Sequence, residues 1–255
     1  MARLALPGVT LCAVTSVNVA ATLVSLARSM AGMDFGACLL FTDAANLSVP
    51  AGVQVVPIAP ITSAAAYSEF VIRELHQHLT TDHVLVSQWD GFVINPERWD
   101  PAWLDCDYIG ALWPQFADGA CVGNGGFSLR SRKLRQACRD PGFAGAHPED
   151  TTICRRNRTM LERSHAIRFA DPDTAQRFSY ERQIPDEPTF GFHGAFNMIA
   201  AIGADPFWQL YLALDDRRTV FADFVSIARQ LGSGSNAVQR RVRFAADYLR
   251  FKLLG

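Results

Sequence analysis

Four short apolar runs, each followed by polar residues, constrain this chain more than any other feature. Thr10 to Ser16 (TLCAVTS), Gly36 to Asp43 (GACLLFTD), Val53 to Ala59 and His83 to Gln88 (HVLVSQ) are too short for core helices and read as buried strands. Between the first two, Val19, Leu23, Leu26 and Met30 recur at helical spacing, and Asn18 stands where it can cap that helix. Between the last two, Tyr67, Phe70, Val71, Leu75 and Leu79 form a second helical stripe. The order strand, helix, strand, strand, helix, strand predicts an α/β fold with a mainly parallel sheet covered by helices on both faces. Ligands of such sheets gather at the carboxyl ends of the strands. Thr15, Ser16, Asp43 and the segment Gln88 to Gly91 are therefore the first places to look for function.

Composition narrows the class. Of 255 residues, 49% are hydrophobic and 19% charged, enough to bury a core and too apolar for disorder. The 24 basic and 25 acidic side chains nearly cancel, so bulk charge gives no reason to expect a nucleic-acid partner. No apolar run has the length of a membrane span. The N-terminus runs directly into the first strand, so no signal peptide is expected. The six cysteines form no CxxC pair, and Cys12 and Cys38 fall inside predicted strands, where a reduced thiol packs as a small hydrophobe. A reducing, cytoplasmic setting follows as the expectation, without structural zinc.

Beyond the fourth strand the pattern changes. Trp89 to Gly126 is rich in Trp, Asp, Pro and Gly, with short strands predicted at Tyr108 to Trp113 and Gly126 to Leu129. Helices are predicted at Ser131 to Arg139 and Pro148 to Arg163, and the chain is helical after Asn197 except at Gly232 to Ser235. The expected organisation is one domain over residues 1–197 with a helical C-terminal extension, 198–255, packed on it.

Four segments carry residues suited to chemistry. Asp90, at the tip of a buried strand and before Gly91, suits a hard divalent cation that bridges phosphates; the alternative is a turn cap. The run Val122 to Ser128 (VGNGGFS) is not a dinucleotide fingerprint, because its spacing is wrong and a strand follows it. Its glycines, Gly125 and Gly126 among them, either let a sugar pass close to the main chain or make a tight turn. In His147 to Asp150 (HPED) acidic residues open a helix, which the helix dipole favours by itself; the sharper reading makes Asp150 a general base. His193, inside Phe190 to Gly194 (FGFHG), is either a metal or phosphate ligand or a half-buried imidazole held by the backbone.

Taken in order, QWDGF, DYIGALW, VGNGGFSLRS, PEDTTIC and FGFHG resemble a bacterial domain family described only as glycosyltransferase-like, over roughly Leu11 to Asn197. The set is also similar to metal-dependent glycosyltransferases of the GT-A fold, a Rossmann-like architecture. That resemblance implies Mn²⁺ or Mg²⁺ and a nucleotide-sugar donor; it does not fix the nucleotide base, for which a UDP-sugar is the expectation. An aspartate serving the acceptor favours an inverting transfer, and a glycan or lipid-linked acceptor is the expectation. By position the resemblance makes Asp90 and His193 the metal ligands and Asp150 the base. Glu149 would orient a sugar. Thr15, Ser16 and Asp43 would lie near the nucleotide, with Tyr67 and Ser68 beside it. Gln88 stands where the family's acidic DxD pair begins, leaving one charge fewer. A nucleotidyltransferase and an inactive carbohydrate-binding domain are the rival readings.

The last helix, Asn236 to Leu254, carries five basic residues against Asp247. Val238, Val242, Ala245, Leu249 and Leu253 form an apolar stripe that Phe244, Tyr248 and Phe251 widen. Such a helix either lies on the inner face of an anionic membrane or packs on the domain or a second subunit, and the second is the favoured expectation.

Overall fold

The computed structural model describes residues 3–254 and divides the chain into two compact units, Met1–His193 and Gly194–Gly255. The first unit opens with β1 (Leu4–Val14), α1 (Val19–Met30), β2 (Met33–Thr42) and β3 (Val53–Pro57). Next come α2 (Ala64–Glu69), which continues through a π turn and a 3-10 turn to His78, and β4 (His83–Ser87). After a loop with two further 3-10 turns follow β5 (Tyr108–Ile109), β6 (Phe127–Ser131) and α3 (Arg132–Ala137). The unit closes with α4 (Glu149–Thr151), its π-helical continuation to Arg156, α5 (Arg158–His165), α6 (Pro172–Phe178), β7 (Ser179–Tyr180) and β8 (Gly191–Phe192).

The main sheet has six strands in the order β3-β2-β1-β4-β6-β5. The pairs β3/β2, β2/β1 and β1/β4 are parallel, while β6 runs antiparallel to both β4 and β5. The four expected strands are all present and parallel. β3, expected to be buried, lies at the sheet edge and buries only Val53; alternation along β1 shows why the inner strands are apolar on both sides. Leu11 and Ala13 enter a core with α1, Trp103, Phe178 and Phe190, whereas Cys12 and Val14 enter another with Phe70, Val71 and Leu75. A third apolar cluster joins α3, the π turn after α4 and α5 through Leu134, Ile153 and Leu161.

Sequence order reverses direction across the sheet between β1 and β4, so the crevice beyond their carboxyl ends is the topological switch point. Helix α1 packs the predicted Val19, Leu23, Leu26 and Met30 stripe on the core and also turns small hydroxyl residues toward the end of β4. Its fully buried side chains are Ala21, Thr22, Ser25, Leu26 and Ser29. Ser25 Oγ donates to the Gln88 carbonyl (2.8 Å) and meets Ser87 Oγ at 2.9 Å, pinning the end of β4. Asn18 does occupy the N-cap position, but in the left-handed region (φ 54°) and without a capping bond from its side chain.

The second unit is helical: α7 (Met198–Ile202), α8 (Ala204–Ala213), α9 (Arg218–Ala222), α10 (Phe224–Gln230) and α11 (Ala237–Leu254). The apolar surface of α11 is used differently from the sequence-based expectation. Phe244, Tyr248 and Phe251 turn inward against Phe221 and Phe224, with ring centroids 4.1–5.8 Å apart. Val238, Val242, Leu249 and Leu253 stay 60–82% exposed. Arg240 is buried and paired with Asp205, so not every arginine of this helix lies in water. Aromatic rings bury more area per residue and displace the aliphatic stripe from the core.

Candidate active site

A cavity of about 310 Å³ brings together side chains from α2, the β4 turn, the glycine loop before β6, α4 and the ends of β7 and β8. Of the residues singled out in the sequence, Tyr67, Ser68, Gln88, Gly125, Gly126, Glu149, Asp150 and His193 line it. Asp90 lies behind His193, 2% exposed, with Oδ1 3.7 Å from His193 Nε2. Thr15, Ser16 and Asp43 do not line this cavity. Thr15 caps the turn at Val17, Ser16 Oγ accepts from the Ile61 amide at 2.7 Å, and Asp43 is exposed at the end of β2.

The tip of β4 is a tight turn closed by reciprocal backbone bonds between Gln88 and Gly91 (3.1 and 3.2 Å). It aims Gln88 and Asp90 at one ring. Gln88 Oε1 stands 3.2 Å from His193 Nε2, on the same side as Asp90. On the other side, His193 Nδ1 meets Asn124 Nδ2 at 3.1 Å and Glu181 Oε1 at 3.3 Å. Burial by itself would lower the His193 pKa, but the Asp90 and Glu181 carboxylates outweigh it and hold the imidazole above its ordinary value. Reciprocally, burial would raise Glu181, and His193 more than offsets this, leaving its carboxyl below the usual range.

The glycines before β6 are there for close approach. A Cβ on Gly126 would lie 2.0 Å from His193 Nε2, and one on Gly125 would lie 1.7 Å from Glu149 Oε1. Arg130, on β6, locks this loop from beneath. Its Nη2 donates to Glu149 Oε1 (2.9 Å) and to the Gly125 carbonyl (3.2 Å), while Nε donates to Ser128 Oγ (2.9 Å). The guanidinium also lies over the Tyr108 ring, 5.5 Å from its centroid, and the Tyr108 hydroxyl donates to the Asn124 carbonyl. Glu149 is therefore held in a buried pair, whereas Asp150 reaches the loop from the cavity side, accepting from the Gly125 amide at 3.3 Å.

Burial keeps the Tyr67 phenol well above its ordinary pKa, and the Glu149 carboxylate adds to the effect. Its hydroxyl sits near Gln88 and makes no bond of good geometry among the described residues. A buried polar atom left this way costs stability, so its retention at a cavity wall points to a ligand. Asn124, His147 and Glu181, none of them a predicted site residue, also line the cavity, as does Trp113. His147, two residues before Glu149, had only that proximity as a signal; its Nδ1 meets Ser68 Oγ at 3.0 Å. Glu181 lies in SYERQ, a stretch with no pattern to mark it.

Asp90 Oδ1, a hard oxygen, and His193 Nε2, a borderline imidazole nitrogen, lie close enough to share one divalent cation. No group of three or more His, Cys, Asp or Glu side chains suited to a metal occurs among the described residues. A substrate diphosphate and water would have to complete such a shell, which is how Mg²⁺ is commonly held.

A search against curated proteins finds no match. Among solved structures the chain is similar to a glycosyltransferase involved in glycosylation of the major capsid of PBCV-1, at 11% identity and TM-score 0.46, over 80% of this chain and 98% of that one. It is similar to the mannosyltransferase PcManGT from Pyrobaculum calidifontis, in complex with GDP-Man and Mn²⁺, at 11% identity and TM-score 0.45, over 95% of this chain and 80% of that one. A third is the apo form of the glycosyltransferase GlyE of Streptococcus pneumoniae TIGR4, at 14% identity and TM-score 0.43, over 89% and 64%. A family described as "Protein of unknown function (DUF5672)" matches residues 51–193, more than half of the 255, and the chain belongs to that family.

Proposed function

We propose that this chain is a glycosyltransferase that moves a sugar from a nucleotide-sugar donor to a glycan or lipid-linked acceptor. One observation carries the reading: at the switch point of the sheet, Asp90, Gln88 and His193 converge beside a glycine loop and a buried tyrosine hydroxyl. The four-strand parallel half, with Thr15, Ser16 and Asp43 at its strand ends, suits the nucleotide portion. Gly125 and Gly126 let Glu149 and His193 press against the main chain at the wall of the cavity, where the donor sugar would sit.

Asp90 and His193 would hold Mn²⁺ or Mg²⁺, which neutralises charge on a leaving diphosphate. The chain's own residues do the rest. Asp150 accepts the proton of the acceptor hydroxyl as its oxygen attacks the anomeric carbon. The bond from that carbon to the nucleoside diphosphate breaks, with inversion. Glu149 fixes the loop that faces the donor sugar, and Tyr67 and Ser68 close the cavity on the α2 side. The reading places the protein in the cytoplasm, with a peripheral contact to the inner face of the membrane through α11. No helix of the described residues is long and apolar enough to cross a membrane.

Thermal shift with a panel of nucleotide sugars, UDP-sugars first, with and without Mn²⁺, tests this. Binding to the folded state raises stability by RT ln(1 + [L]/Kd), so ligand at one hundred times its Kd adds about 2.7 kcal/mol. A metal-dependent shift with a nucleotide sugar, abolished in Asp90→Asn, is the expected result. A shift with free nucleoside triphosphates but with no nucleotide sugar would favour a nucleotidyltransferase instead.

A further inference from the structure

The first unit holds a second and larger cavity, about 980 Å³, bounded by Trp103, α6, β7 and the segment 181–188. That volume is at the upper end of the range for small-ligand pockets, about 300–1,000 Å³, and leaves room for more than one sugar ring. Two of its lining residues carry a buried polar atom with no hydrogen-bond partner among the described residues: Trp103 Nε1 and Ser179 Oγ. Both residues are 1% exposed. The Trp103 ring cannot turn to find a partner, because Trp99, Phe178 and Phe190 surround it with centroids 5.2–5.3 Å away. Ser179 is fixed by the pairing of β7 with β8. An indole N–H and a hydroxyl retained at a cavity wall without partners match a ligand rich in hydroxyl groups.

Charge decides between kinds of hydroxylated ligand. Five carboxylates line the cavity, those of Asp100, Asp173, Glu181, Asp186 and Glu187, against the guanidiniums of Arg98 and Arg177. One of the two cations is partly occupied, since Arg177 Nη2 lies 3.8 Å from Asp100 Oδ2. A sulfated, uronate or diphosphate-bearing ligand would meet net repulsion here. Glu181 lines both this cavity and the one around His193, and its carboxylate is 3.3 Å from His193 Nδ1. A chain of sugars in the larger cavity would thus end where the smaller one begins.

We infer that the cavity walled by Trp103, Ser179 and Glu181 binds a neutral oligosaccharide, the acceptor in the transfer proposed above. The acceptor role rests on that reading; neutral-glycan binding at this wall does not.

The test is a printed array carrying neutral, sulfated and uronate-containing oligosaccharides, probed with the full chain and with Ser179→Ala and Trp103→Phe. Each variant deletes one unpartnered polar atom; Ser179→Ala should keep or raise thermal stability, whereas Trp103→Phe leaves a gap among the surrounding rings and should lower it modestly without unfolding the chain. Affinity for neutral oligosaccharides should fall about threefold to tenfold in each, the scale of one neutral hydrogen bond. Preferential binding of acidic glycans, absence of binding to any neutral glycan, or neutral binding untouched by both variants would each overturn the assignment. The nucleotide-sugar shift serves as the separate control. Nucleotide sugars that bind while neutral glycans do not sink the cavity alone. Glycans that bind where no nucleotide sugar does sink the transferase reading alone.

Discussion

Arg130 Nη2 lies 2.9 Å from Glu149 Oε1, and the two side chains are only 3% and 8% exposed. This pair ties β6 to the start of α4 and fixes the glycine loop between them, because the same guanidinium nitrogen also reaches the Gly125 carbonyl. Removing one partner of a buried pair leaves an uncompensated charge. Glu149→Ala should therefore destabilise the protein by about 3–5 kcal/mol in urea unfolding, while the double change Arg130→Met with Glu149→Leu should recover most of the loss. A full-strength fold in Glu149→Ala would mean that the carboxylate is free for substrate.

Gly126→Ala tests the seat of His193. The added Cβ would fall 2.0 Å from Nε2, so the ring must leave its place beside Asp90 and Gln88. Displacing a ligand's support typically costs roughly 10–100-fold in metal affinity. Mn²⁺ titration in the presence of a nucleotide sugar should show that loss, with far-ultraviolet circular dichroism unchanged. Identical titrations for the two proteins would remove His193 from the metal site.

Asp150 and Glu149 are neighbours in sequence with different surroundings. Asp150 faces the cavity and, among the described residues, accepts backbone and hydroxyl bonds from Gly125 and Thr151 and has no ion pair. As the base, Asp150→Asn should lose about 10²–10⁴ in transfer rate while keeping the donor-induced thermal shift. Loss of both together would assign Asp150 to donor binding.

Which of these features the sequence reveals depends on their range. β1, β2 and β4 are legible because a strand buried on both faces leaves an unbroken apolar run, as in TLCAVTS, while β3 is apolar in sequence but sits at the sheet edge with only Val53 buried. The turn at Asp90 and the close glycines are legible because few residue types tolerate those positions. Arg130 is not: a charge inside FSLRS reads as a solvent-facing residue until Glu149, nineteen positions later, is placed against it. Glu181 and Trp103 belong to walls assembled from separate loops, and no local period encodes that. On α11 the apolar residues are visible but the buried side is not, since two overlapping stripes satisfy the same helical spacing.

The thiols provide a check on burial. Cys12, Cys38 and Cys138 are buried, and burial pushes their pKa values up to about 12 from 9.0. At pH 8 they are neutral thiols, and only the thiolate attacks a disulfide reagent. Cys154 is raised by the same cause. Native protein treated with an aromatic disulfide reagent should therefore release colour rapidly from no more than Cys106 and Cys121, the two partly exposed thiols. All six should react in denaturant. Fast reaction of four or more in native buffer would mean that the sheet core opens readily.

The outer face of α11 is the last case. Val238, Val242, Leu249 and Leu253 follow one another at helical spacing and stand 60–82% exposed, while the aromatic face is engaged inside the second unit. The charges that share the exposed side are Arg241, Arg243, Arg250 and Lys252. The helix's one acid, Asp247, is mostly covered and bonded to Tyr211 and Arg217. A second copy of the same face would bring like charges together, whereas an anionic bilayer offers opposite charge and an apolar layer for the four aliphatic side chains. Vesicles of phosphatidylcholine with phosphatidylglycerol should sediment the protein at low salt, and pure phosphatidylcholine should not. Binding should weaken as salt shortens the Debye length from about 30 Å at 0.01 M to about 10 Å at 0.1 M. Val242→Glu with Leu249→Glu should abolish it without unfolding, because neither side chain is buried. Protein that stays in the supernatant with anionic vesicles, but runs as a dimer that the same double change dissociates, would assign the stripe to self-association instead.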